Sequence, residues 1–134
     1  MGILKRSRTM ATVVETLTTL NTQFDAAFNS KNTQAIGALY AENAVVLPAP
    51  AGEPVKGRQA IADFFGGLIQ AGVIEHALTM KDAVVTDSLA TQTGNWAGAM
   101  VGEDGVKQQF GGNVQVVFQK QADGQWLAVT HIWN

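Results

Sequence analysis

The chain has 134 residues, 46% of them hydrophobic, enough for one domain with a sizeable core and no disulfide or metal staple. It contains no cysteine, which excludes disulfides, thiolate chemistry and cysteine-ligated zinc and suits a reducing cytoplasm. The net charge of −2 is unevenly spread: Lys5, Arg6 and Arg8 lie in the first ten residues, and the rest carries six basic against eleven acidic side chains, which lacks the electrostatic footprint of a nucleic-acid binder.

The opening MGILKRSRTM is basic but leads into no long apolar core, so it does not read as a signal peptide. Arg6 stands where myristoylation asks for Ser or Thr. No apolar run approaches the ~20 residues that span a bilayer. Residues 1–11 are expected to form a basic tail or a forward extension of the first helix. Residues 12–134 are expected to form a single domain, cytoplasmic, with neither nucleic acid nor membrane as partner.

From Val13 the apolar residues Leu17, Leu20, Phe24, Ala27 and Phe28 follow at steps of three and four, one helical stripe ending near Ser30–Lys31. Asn32 is an N-cap for a short second helix, with Ile36, Leu39 and Tyr40 facing inward. Ala44 to Leu47 reads as a strand stopped by Pro48 and Pro50, and Ala49 to Gly57 as a loop. A third helix carries Ile61, Phe64, Phe65, Leu68 and Ile69 on one side and ends at Gly72. Residues 74–86, 89–101, 109–120 and 125–133 then read as four strands, with turn residues at Asp87-Ser88, Glu103-Asp104-Gly105 and Asp123-Gly124.

Helices first and strands later argue for an α+β fold. The four strands form a meander whose one face the helices cover, and Gly94, Gly98, Gly111 and Gly112 suit strong bending. The expectation is a cone of three N-terminal helices on a strongly curved antiparallel sheet.

The stretch from Phe24 to Phe65, FDAAFNSKNTQAIGALYAENAVVLPAPAGEPVKGRQAIADFF, and the ending GQWLAVTHIWN resemble the nuclear-transport-factor-2-like (NTF2-like) superfamily. Within it, the SnoaL-like and DUF4440-like groups of small bacterial proteins are most similar. The resemblance covers roughly residues 12–134 and implies the NTF2-like (cystatin-like) cone. It implies the activity far less sharply, because that fold carries isomerases, cyclases, dehydratases, epoxide hydrolases and non-catalytic assembly domains. Where ketosteroid isomerases of this fold place a tyrosine and two acids, an ungapped comparison finds Phe24, Pro48 and Val114, none able to move a proton. Where scytalone-dehydratase-like proteins place a Tyr-Asp pair, Phe28 and Asn29 stand. No interior strand position offers the arginine that limonene-epoxide-hydrolase-like enzymes need.

Strand alternation gives candidates for a pocket inside the cone. With turns centred at Asp87, near Gly105 and between Ala122 and Asp123, one cross-sheet row is His76, Gly98, Gly112 and Trp133. The next is Leu78, Trp96, Val114 and His131. Gly98 and Gly112 either open a slot for a flat ligand walled by Trp133 or only relieve strand curvature. His76 and His131, the two histidines, are the candidate acid/base groups, or else buried side chains with one hydrogen bond each. Trp96, Trp133, Gln92, Gly98, Gly112, Val114, Phe24 and Tyr40 are the candidate ligand contacts. Tyr40 reads either as a core residue of the second helix or as a proton donor at the mouth. Asp25 reads as a solvated helix charge. Glu75 and Asp82 lack metal-ligand spacing beside the histidines, so no metal and no cofactor are expected.

Two functions follow. One is a protein that binds a small hydrophobic or aromatic molecule in the cone, with weak acid/base activity of the isomerase, cyclase or dehydratase kind. The alternative is a non-catalytic homodimeric assembly or binding module. Its convex sheet face would carry Thr91, Thr93, Asn95, Ala97, Gln115, Val117 and Trp126 into the dimer.

Overall fold

The computed structural model describes residues 2–50 and 52–134, with side chains from Ala11 onward. The expected tail at 1–11 therefore falls almost wholly outside the described side chains. Helix α1 spans Gly2–Asn29, α2 Thr33–Gly37 and α3 Arg58–Gln70. The strands are β1 (Tyr40–Leu47), β2 (Val55–Lys56), β3 (Ile74–Val85), β4 (Leu89–Val101), β5 (Lys107–Lys120) and β6 (Trp126–Trp133).

Lys31, with a φ of 63°, turns the chain out of α1. Asn32 then caps α2 by accepting from the Ala35 N–H at 3.1 Å. Gly72, at φ 105°, lets the Val73 N–H reach back to the Leu68 carbonyl at 3.1 Å, closing the end of α3.

One six-stranded sheet runs in the order β2-β1-β6-β5-β4-β3. Its pairings are antiparallel except β1 with β6, which is parallel, so the sheet is mixed. The short β2, absent from the sequence reading, pairs Val55 with Val46 at the sheet edge. Tyr40 opens β1 instead of closing the second helix. Arg58 ties α3 to that strand by donating from Nε to the Tyr40 carbonyl at 2.8 Å.

The helices cover one face of the sheet. Leu17, Phe24 and Phe28 of α1 and Ile61 and Phe65 of α3 are buried there against Val46, Val114, Val116 and Phe118. This is the α+β cone that the sequence predicts.

Strand register differs from the expected rows at the β4–β5 and β5–β6 joints, and both corrections bear on the pocket. Leu78 pairs with Trp96 as expected. The β4–β5 hairpin, however, closes one residue earlier, with the Gly102 N–H bonded to the Val106 carbonyl at 3.0 Å. Trp96 therefore faces Gly112, and Gly98 faces Phe110. In β6, Val117 pairs with Thr130 but Phe118 with Ala128, so Val129 is the extra residue of a bulge. His131 consequently pairs with Val116 and Trp133 with Val114.

The same bulge reverses the side-chain parity of the first half of β6. Trp126, expected on the convex face, is buried at 8% exposure within the core.

Candidate active site

Three polar residues at four-residue spacing, Asn21, Asp25 and Asn29, run along the face of α1 that meets the sheet. Each is bonded to the sheet. Asn21 donates from Nδ2 to Gln92 Oε1 at 2.7 Å. Asp25 accepts the Leu78 N–H at 3.0 Å and meets His76 Nδ1 at 2.8 Å. Asn29 accepts the His76 N–H at 2.8 Å and donates to its carbonyl at 3.0 Å.

The last pair of bonds grips the start of β3, where Glu75 adopts a φ of 57° at a bulge and His76 turns inward. Glu75 itself points away and pairs with Lys107 at 3.0 Å. Asp25 is thus no solvated charge. The sequence signal for it is the Asn21-Asp25-Asn29 ladder beside the Phe24 stripe.

His131 occupies the middle of the sheet, between Val46 and Val116, and is 4% exposed. Its Nδ1 lies 2.8 Å from the Tyr40 hydroxyl, itself fully enclosed. Burial, and secondarily the Coulombic influence of His76, pushes the His131 pKa down from 6.5 to about 3. Burial also pushes the Tyr40 phenol far above its usual range. Both groups are therefore neutral near pH 7.

The tautomers follow from the partners. A carboxylate only accepts, so His76 Nδ1 carries a proton, and in the neutral ring Nε2 is a bare lone pair. A phenol is a better donor than an imidazole N–H, and an imidazole nitrogen a better acceptor than a phenol oxygen. Tyr40 therefore donates to His131, whose proton sits on Nε2. Among the described residues neither Nε2 has a protein partner, and no fully buried side-chain nitrogen or oxygen lacks one. Both Nε2 atoms are therefore accessible.

The two rings line one cavity of about 360 Å3. Phe64, Phe65, Trp96, Phe110 and Trp133 supply its aromatic walls, and Ala49 and Pro50 stand at its edge. Trp133 lies 4.7 Å from His131 by ring centroid, and Trp96 stacks with His76 at 6.5 Å. Among the described residues no Asp, Glu, Lys or Arg lines it. A larger concavity of about 780 Å3, between α1 and Trp126-Leu127, is a surface groove in which Lys120 is the one ionisable group among the described residues. It holds none of the candidate acid/base residues.

Of the expected contacts, His76, His131, Trp96 and Trp133 line the cavity and the others do not. Gln92 is 3% exposed and committed to Asn21. Val114 is core. Phe24 sits behind the cavity between the two imidazoles, 5.0 Å from His76 and 6.1 Å from His131. Tyr40 reaches the site only through His131.

The glycine slot is absent. The Phe110 ring covers Gly98, where an added Cβ would lie 3.1 Å from it. The Asn134 backbone covers Gly112 so closely that any Cβ there would collide with the Asn134 carbonyl. That carbonyl accepts the Trp96 Nε1–H at 3.0 Å, which fixes one cavity wall. Among the described residues no three potential metal ligands cluster.

A helix-covered cone with a cavity of this kind defines the NTF2-like class of α+β proteins, with the cystatin-like fold. Within it the chain belongs to the SnoaL-like domain family, which matches residues 21–129. Solved structures agree on the fold. An NTF2-like protein with a cystatin-like fold from Novosphingobium aromaticivorans is 18% identical, with 97% of this chain and 86% of that one covered and a TM-score of 0.80. A ketosteroid isomerase-like protein from Erwinia carotovora atroseptica is 18% identical over 89% and 92% of the two chains, with a TM-score of 0.76. An NTF2-like superfamily protein from Salmonella enterica is 16% identical over 93% and 92%, at 0.77. Identities this low show the fold alone. No curated protein sequence matches the chain significantly.

Proposed function

We propose that the protein binds a small hydrophobic or aromatic molecule in this cavity and exerts acid/base chemistry of the isomerase, cyclase or dehydratase kind on it. The observation that carries the reading is the pair of imidazoles in one apolar chamber, each held by its Nδ1. His76, oriented by Asp25, offers a lone pair that takes a proton from the ligand. His131 offers a neutral Nε2–H that stabilises the negative charge left on a ligand oxygen, and His76 returns the proton at a new position. The volume lies at the small end of the ~300–1,000 Å3 range of ligand pockets.

The test is native mass spectrometry of freshly purified protein, then denaturation to release and identify any retained compound. A discrete mass excess lost on denaturation supports the reading. No retained compound, together with no quenching of tryptophan fluorescence by aromatic probes, would sink it.

Assembly through the convex face is a second reading. It has lost Trp126, but Ile132, paired with Gln115 and 42% exposed, offers that face an apolar anchor. Sedimentation of Ile132→Ser against the unaltered chain tests it, and an unchanged mass distribution would count against this surface.

A further inference from the structure

Resting on the ligand-binding reading above, we infer the polarity of the ligand: an uncharged, planar aromatic carrying a hydroxyl for the Nε2 of His76 and a carbonyl for the Nε2–H of His131. The two imidazoles are not interchangeable. Asp25 at 2.8 Å holds the Nδ1 proton of His76, so the neutral ring is an acceptor toward the cavity, and Tyr40 at 2.8 Å makes His131 a donor. A ligand with two acceptors leaves the His76 lone pair facing an oxygen lone pair. One with two donors that cannot also accept, such as N–H groups, meets the same conflict at His131. Only a donor–acceptor ligand satisfies both.

The requirement for neutrality comes from the lining. A buried anion needs a cation or several donors. Among the described residues the cavity walls carry no Lys or Arg, and Asp25 stands directly behind His76. Planarity comes from the walls. Phe65 and Trp133 stack with each other at 5.8 Å and 28°, and Trp96 runs nearly parallel to the His76 ring at 17°. Flat faces of this kind favour offset stacking with a ring system.

The probes are hydroxynaphthaldehydes with the hydroxyl on the same or the opposite ring, compared with naphthol, naphthaldehyde and the matching hydroxynaphthoates. Binding is read by quenching of tryptophan fluorescence and by calorimetry. At least one hydroxynaphthaldehyde is expected to bind about tenfold tighter than either single-function probe, and tighter than its carboxylate counterpart. His76→Ala should erase the gain from the hydroxyl and leave naphthaldehyde binding unchanged. His131→Ala should erase the gain from the carbonyl and leave naphthol unchanged. Tyr40→Phe keeps the core volume and frees the His131 tautomer, so it should lose the carbonyl gain even if the histidine variants fold poorly.

Equal affinity for all probes, or tightest binding of the carboxylate, overturns the polarity while the cavity remains a ligand site. No binding of any probe overturns the ligand-binding reading as well.

Discussion

Asp25 and His76 meet at 2.8 Å across the gap between the first helix and the third strand, and the same carboxylate accepts the Leu78 N–H at 3.0 Å. One side chain therefore fixes both an imidazole and the strand that carries it. Asp25→Ala strands both N–H donors in a partly buried place. The expected loss is about 1–3 kcal/mol of stability, measured by urea unfolding. Asp25→Asn should lose less, since its oxygen still accepts one of them. Equal midpoints for all three proteins would contradict this pairing.

The His131 environment makes stability depend on pH in a stated direction. The folded chain holds the ring neutral down to about pH 3, whereas the unfolded chain protonates it near 6.5. Below 6.5 the unfolded state binds the extra proton, so this group's contribution is complete above 6.5 and is lost as pH falls towards 3. The slope approaches about 1.4 kcal/mol per pH unit. Unfolding free energies of the unaltered chain and His131→Gln at several pH values should diverge in that window. Parallel curves would show that the ring is protonated when folded.

Tyr40→Phe removes the donor to His131 Nδ1 with little change of shape. It should cost about 1–3 kcal/mol, because a buried nitrogen loses its partner. Nitrogen-15 chemical shifts of the imidazole provide a second readout. The unaltered chain should show the proton on Nε2, and the variant a mixture of tautomers. An Nδ1 proton in the unaltered chain would reverse the assigned bond.

The Asn21–Gln92 bond is buried and linked to neither histidine in the structure. Leucine at either position alone should cost about 1–3 kcal/mol, while the double variant should cost less than the sum. A double-mutant cycle by chemical denaturation gives the coupling directly. Strict additivity would mean that the amides do not bond in solution.

Gly112→Ala places a methyl group against the Asn134 carbonyl that holds the Trp96 indole. The end of β6 has to move, at a cost of about 1–3 kcal/mol for an overpacked position. A changed Trp96 emission should accompany the loss. An alanine variant with unaltered stability and emission would refute the close approach.

Much of the fold was legible in the chain. Periodicities of 3.6 and 2 separate α1 and α3 from β3 to β6, because each element hides one apolar face and solvates or packs the other. Burial explains why β1 began earlier than read. Tyr40 sits in an apolar surrounding that suits a helix and a strand equally, and its long-range backbone pairing with Ala128 is what distinguishes them. The site was half legible. His76, His131, Trp96 and Trp133 could be placed inside the cone by alternation. Their partners could not, because the bulges at Glu75 and Val129 shift register without a Pro or Gly to mark them. Nothing local marks Asp25 as paired, because a helix-face carboxylate carries no sign of a histidine 51 residues further along the chain.

The extra residue at Val129 has one more consequence. It divides the last strand into two segments with opposite phase. Trp126 and Ala128 serve the core beneath α1, while His131 and Trp133 serve the chamber. Across that seam a substitution on one side leaves the phase of the other intact. Deleting Val129 would bring the strand into a single phase and turn either the core anchor or the cavity-lining side chains outward. The core-filling and cavity-lining halves of the strand are thus separable along eight residues of chain.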